Sequence, residues 1–172
     1  MKLIYLGDVV GRAGRKIVID QIPVLQKRFD PDFVILNGEN AAHGFGITSK
    51  ICKQFFDAGV SLITLGNHAW DQREIIDYIR VENRLLRPLN YPENTPGNGS
   101  GVYKTGTGKN VCVIQVMGNL FMEPLENPFH TVDKCLKNIA LGYDVDCIVV
   151  DIHAEATSEK MAMGQFLDGR VS

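Results

Sequence analysis

Five short runs rich in Ile, Val and Leu constrain this chain more than any other feature: Lys2–Gly7, Phe33–Asn37, Leu62–Gly66, Val111–Val116 and Cys147–Ile152. Each is too short for a buried helix, is apolar at consecutive positions and ends in small or polar residues. That is the pattern of strands covered on both faces. Between them lie segments of helical period at Arg15–Phe29, Ser49–Ala58, Asp71–Arg80, Thr131–Leu141 and Thr157–Phe166. The alternation of strand and helix predicts a layered α/β fold. Arg87–Gly108 breaks the rhythm, because it is dense in Pro, Gly and Asn with only Gly101–Thr105 strand-like. It predicts a long surface excursion with a hairpin.

Composition narrows function by exclusion. At 172 residues, 45% hydrophobic and 22% charged, the chain reads as a single ordinary α/β domain. A net charge of −2 with scattered Lys and Arg offers no footprint for a stable nucleic-acid complex or an anionic membrane. No apolar run is long enough to span a bilayer, and Met1 leads straight into a strand-like segment, so a cytoplasmic location is the expectation. Cys52, Cys112, Cys135 and Cys147 form no CxxC pair and are read as reduced thiols.

Chemistry concentrates where the strands end. The first closes on Gly7-Asp8, the second on Asn37-Gly38-Glu39-Asn40, the third on Gly66-Asn67-His68 and the last on Asp151-Ile152-His153-Ala154-Glu155. Open α/β sheets bind ligands at the carboxyl ends of their strands, and carboxylate, amide oxygen and imidazole are the groups that hard or borderline divalent cations take. One polar strand end is ordinary turn chemistry. Four on different strands predict a metal site. Other motifs fail on spacing. Gly106-Thr107-Gly108-Lys109-Asn110 has Tyr103 where a phosphate loop needs glycine, His153-Ala154-Glu155 lacks the Pro-Cys-x-x-Cys of zinc deaminases, and Gly7, Gly11 and Gly14 do not fit a dinucleotide fingerprint.

These residues resemble the calcineurin-like metallophosphoesterases, whose motifs run Gly-Asp, Gly-Asp or Gly-Glu-Asn, Gly-Asn-His, His and finally Gly-His-x-His. More narrowly, the strings Gly7–Gly11, Asn37–Gly44, Gly66–Asp71 and His153–Lys160 are similar to the YmdB-type 2′,3′-cyclic-nucleotide 2′-phosphodiesterases. The resemblance implies an α/β/β/α sandwich holding two divalent metal ions, iron in most members, with manganese or another divalent ion as alternatives. It implies that Asp8, Glu39 and Asn40 serve one metal, that Glu39 bridges, that Asn67 and His153 serve the second, and that His68 donates a proton. A shared water acidified by two cations attacks phosphorus, and His68 protonates the departing ribose 2′ oxygen, giving a nucleoside 3′-phosphate. A small cyclic nucleotide, 2′,3′ or 3′,5′, is the implied substrate, and relatives suggest a homo-oligomer. Phosphomonoester or phosphoprotein hydrolysis, and a catalytically silent metal-binding module, are the competing readings.

The family's closing Gly-x-His-x-His segment has no counterpart, since no histidine follows His153. The expectation is therefore a fragment whose sandwich is incomplete at its C-terminus, with one ligand missing per metal and an uncovered apolar sheet edge. Around the site, Arg12 is read as a phosphate-side residue near the start of the first helix, with Arg15 as the alternative. His43 is either a substrate-side residue or a loop hydrogen-bonder. Trp70 is read as core in preference to a base-stacking surface, and His130 as a surface residue at a helix start. Glu155 is expected to support the metal ligands from behind, Glu159 to belong to a charged helix face, and Asp151 to lie on the opposite strand face from His153 in solvent.

Overall fold

Alternation along the strands sorts the molecule into four layers. The computed structural model describes residues 1–172 and contains two sheets. The first is parallel, in the order β1 (Leu3–Leu6), β2 (Phe33–Asn37), β3 (Leu62–Thr64) and β4 (Leu85–Leu86). In the second, β6 (Asn110–Met117) lies between antiparallel β5 (Ser100–Lys104) and parallel β7 (Cys147–His153).

Odd and even positions of each strand go to different cores, as a two-residue period requires. From β2, Leu36 packs with Ile51, Cys52 and Phe55 of α2 (Ser49–Ala58), Ile22 of α1 (Gly11–Phe29) and Ile75 of α3 (Ile75–Tyr78). Its neighbours Phe33 and Ile35 turn the other way, onto Val111 and Val113 of β6 and Cys147 of β7. Cys112, Ile114 and Val116 of β6 then bury against Val132 of α4 (Pro128–Leu136) and Met163 and Leu167 of α5 (Thr157–Leu167). Helices, sheet, sheet and helices thus form the layered α/β/β/α sandwich, with the middle core between the sheets. Each fully buried Ile, Leu or Phe in these cores stabilises the fold by roughly 1.5–3 kcal/mol.

Local signals set most helix ends. Thr48 caps α2 by accepting the Ile51 N–H at 3.3 Å, and Gly59 ends it in the left-handed conformation (φ 108°). Helix α1 begins four residues before the expected Arg15, because the turn at Gly11 is fixed by its N–H donating to the Asn40 carbonyl at 2.9 Å. Helix α4 runs Pro128–Leu136, not Thr131–Leu141. Asn127 caps it, accepting from the N–H groups of Phe129 and His130, and Pro128 suits the first turn. The expected helix Asp71–Arg80 shrinks to Ile75–Tyr78, because Asp71, Gln72 and Glu74 turn to partners outside it: His68, the Phe45 carbonyl and Ser49. The excursion after Arg87 holds β5 as expected, but Leu85–Leu86 immediately before it is a short fourth strand beside β3. All four cysteines are free thiols, and no helix is long and apolar enough to cross a membrane.

Candidate metal centre

The carboxyl ends of β1, β2 and β3 in one sheet meet the end of β7 in the other. Glu39, just past β2, is fully buried. Its Oε2 accepts the His68 backbone N–H at 3.2 Å, and its Oε1 lies 3.0 Å from His153 Nδ1. That second approach is off the line of a hydrogen bond, so Oε1 is a buried oxygen with no hydrogen-bond partner. Such an atom is costly unless something further pairs with it. His153 Nε2 is 2.8 Å from Asn67 Oδ1, and Asn40 donates from Nδ2 to Asp8 Oδ2 at 2.8 Å. Asn40 and Asp8 thus make one contact pair, while Glu39, His153 and Asn67 make a connected trio.

Two strand geometries bring this about. Gly66, two residues past β3, lies against Glu39 and His153; a methyl group there would sit 2.6 Å from His153 Cγ and press into the Glu39 carboxylate. Gln115 follows Val111 and Val113 on the inner face of β6, is fully buried, and donates from Nε2 to the Leu65 carbonyl, immediately before Gly66. This bond ties the second sheet to the turn carrying Asn67 and His68.

Charge at the centre is unevenly balanced. Burial disfavours the charged form of His153, but the nearby Glu39 carboxylate, with Asp151 and Asp8 beyond, outweighs it and raises the imidazole pKa. Burial raises the Asp151 carboxyl pKa in turn. No three His, Cys, Asp or Glu side chains are disposed to hold a metal ion by themselves. A cation here would draw on Asn40 and Asn67 as well. With those amides included, the orphaned Glu39 oxygen and the all-oxygen-and-imidazole donor set fit divalent cations.

The expectations for Asp151 and for Glu155 and Glu159 need correction. Asp151 does not lie on the opposite face from His153: the two are two residues apart, share a face by strand period, and Asp151 Oδ2 accepts from the Tyr5 hydroxyl at 3.0 Å across the sheets. Glu155 is exposed and makes no hydrogen bond to Asp8, Glu39, Asn40, Asn67 or His153. Glu159, one helical turn further, is buried instead, and accepts the N–H groups of Asn119 at 2.9 Å and Leu120 at 3.3 Å. It fixes the loop after β6. Arg12 is exposed without a side-chain hydrogen bond, whereas Arg15 donates to the Ala41 carbonyl and ties α1 to the glycine-rich loop. His43 is exposed, with left-handed backbone (φ 58°) and no side-chain hydrogen bond, so the loop-bonding alternative loses its support. Trp70 packs edge-on to Tyr91 and against the first core, and His130 lies in the first turn of α4.

The sequence reading missed Asp71 and Gln115. His68 Nδ1 is 2.6 Å from Asp71 Oδ2, which orients the ring; spacing of three residues in a turn could have signalled the pair. Gln115 could have been found as the polar break in the inner-face series 111, 113, 115. A hollow of about 750 Å³ lies elsewhere, between the excursion after β4 and α4. Arg87 there spends its donors on the carbonyls of Pro88, Leu89, Thr95 and Pro96.

Known proteins share this arrangement of strands. The 2′,3′-cyclic-nucleotide 2′-phosphodiesterase of Bacillus subtilis (strain 168) is 45% identical over 172 residues, all of this chain and 64% of the relative. A crystal structure of a hypothetical protein from Thermus thermophilus superposes with a TM-score of 0.92 at 42% identity, covering 100% of this chain and 65% of that one. A structure of a novel phosphatase from Mycoplasma pneumoniae gives 0.90 at 35% identity, covering 100% and 62%. The chain therefore spans a little under two thirds of the length of these relatives. The profile of the family described as YmdB-like protein matches residues 4–172, from the first strand through the last helix, and the chain belongs to that family.

Proposed function

We propose that this chain carries the core of a metal-dependent phosphodiesterase that opens 2′,3′-cyclic nucleotides to nucleoside 3′-phosphates. The observation that carries the reading is the buried Oε1 of Glu39, which has no hydrogen-bond partner and lies 3.0 Å from His153 Nδ1, in a site that also holds the Asp8–Asn40 and His153–Asn67 pairs. Asp8, Glu39 and Asn40 would hold one divalent cation and Asn67 and His153 the second, with Glu39 shared and iron or manganese suited to the donors. Cations bound there supply a water made acidic enough to attack at neutral pH, and positive charge that offsets the phosphoryl oxygens.

The chain's own residues do the rest. The carbonyl bond from Gln115 and the packing at Gly66 hold the Asn67–His68 turn against Glu39. Asp71 accepts from His68 Nδ1, leaving Nε2 to carry a proton to the leaving group. Hydroxide oxygen, its proton already lost to solvent, bonds to phosphorus, the bond from phosphorus to O2′ breaks, and the His68 Nε2 proton ends on O2′. Proton delivery of this kind contributes ~10²- to 10⁴-fold.

Turnover of 2′,3′-cyclic AMP against an aryl monophosphate, with Fe²⁺ or Mn²⁺ and the full-length protein, tests the substrate. Faster hydrolysis of the cyclic diester, with adenosine 3′-phosphate as product, is the expected result. Preference for the monoester would make the protein a phosphomonoesterase.

A further inference from the structure

We infer that Phe45 is the nucleobase platform of this site and gives the enzyme a preference for purine over pyrimidine nucleotides; the inference rests on the phosphodiesterase reading above. Phe45 stands between Gly44 and Gly46 in the loop after β2, and 57% of it is exposed. Its ring meets the His68 ring edge-on, with centroids 5.1 Å apart and planes at 78°. An apolar ring left in water on an ordinary mobile loop would be unremarked. This loop is held.

His43, Gly44 and Gly46 adopt left-handed backbone (φ 58°, 95° and 73°), and the Ala42 N–H donates to the Gly46 carbonyl at 2.8 Å. The Phe45 N–H donates to the Ala42 carbonyl at 3.0 Å, and Gln72 Nε2 donates to the Phe45 carbonyl at 2.8 Å. Gly46 is wedged so closely that an added methyl group would lie 2.9 Å from Gln72 Cγ and 3.2 Å from the His68 carbonyl oxygen. Both anchors belong to the turn that follows β3, so the loop of Phe45 and the turn of His68 are one body. The aromatic surface is preorganised beside the proton donor.

Covalent structure of the substrate supplies the second half of the argument. If His68 protonates O2′, ribose C2′ lies at His68. The base hangs from C1′, the neighbouring carbon, so it must lie within a few bond lengths of the His68 ring. Phe45 is the exposed aromatic in contact with that ring. Trp70 is unavailable because it is committed to Tyr91 and the core. A ring reads a base by stacking, which is tolerant of base identity and grows with the area of the base, so purines gain over pyrimidines.

The test uses full-length, metal-loaded protein and three substrates: 2′,3′-cyclic AMP, 2′,3′-cyclic CMP and base-free 1-O-methylribose 2′,3′-cyclic phosphate. Phe45→Ala is expected to raise KM for the adenine substrate roughly tenfold, the typical worth of one base–aromatic stack, with kcat unchanged. The cytosine substrate should lose less, the base-free one nothing, and Phe45→Trp should restore the adenine KM. Equal losses in kcat on all three would show that Phe45 merely props His68, and would overturn the inference, as would an unchanged KM. Wild-type protein inactive on every cyclic diester would instead bring down the phosphodiesterase reading on which the platform rests.

Discussion

Replacing Gly66 with alanine is expected to disable the centre while leaving the fold standing. The new methyl group would lie 2.6 Å from His153 Cγ and 2.8 Å from Glu39 Cδ. Both neighbours are held in place. Glu39 is fully buried and pinned by the His68 N–H, and His153 sits at the end of a strand whose ladder partner, Met117, is itself fully buried. Overpacking of this kind costs about 1–3 kcal/mol of stability, small against the several kilocalories that hold an ordinary domain. For the site the consequence is larger, because the same displacement separates Glu39 from His153. Metal affinity should fall by roughly 10- to 100-fold, the loss typical when groups that orient metal ligands are disturbed. Calorimetric Mn²⁺ titration and a thermal melt on the same sample check both halves. Wild-type affinity in Gly66→Ala would show that the cradle does not matter.

Removing the His68 imidazole should produce the largest selective loss of rate. His68→Ala is expected to lower kcat for 2′,3′-cyclic AMP by ~10²- to 10⁴-fold, the range for losing a positioned general acid, with metal binding unchanged because His68 is not among the ligands. The loss should depend on the leaving group. Ribose O2′ is a poor leaving group that needs its proton; nitrophenolate leaves without one. His68→Ala should therefore retain far more of its activity on bis(p-nitrophenyl) phosphate than on the cyclic nucleotide. Asp71→Asn should show a milder version of the same pattern, because a neutral amide can still bond to Nδ1 but no longer sets a carboxylate charge beside the ring that gives up its proton. A uniform loss on both substrates would mean that His68 works by shaping the site.

How much of this is legible in the sequence depends on the range of the forces involved. The apolar runs became β1, β2, β3, β6 and β7; the central β2, β3 and β6 are covered on both faces, while β1 and the later part of β7 lie at sheet edges and are only partly buried. That the four polar strand ends lie together was legible as well, since parallel strands place their carboxyl ends together. What escaped depends on tertiary partners. Leu85–Leu86 becomes a strand only because β3 offers it an edge, and Asp71, Gln72 and Glu74 leave a helical pattern because His68, the Phe45 carbonyl and Ser49 compete for them. Asp151 is a different case. Its face follows from simple two-residue counting to His153, and a correct count would have placed it inside. Phe45 left one signal, an aromatic residue between two glycines, where neither helix nor strand can claim the ring.

The central claim is that residues from both sheets make one metal centre through Glu39, and it is tested most directly by counting metal. Full-length wild-type protein and its Glu39→Gln variant, loaded with Mn²⁺ and passed through gel filtration, would be compared for bound ions per chain. The amide keeps the size of the side chain but removes the charge that the two ligand groups share. Two ions on the wild type and fewer on Glu39→Gln is the predicted result; the same number on both would contradict the account.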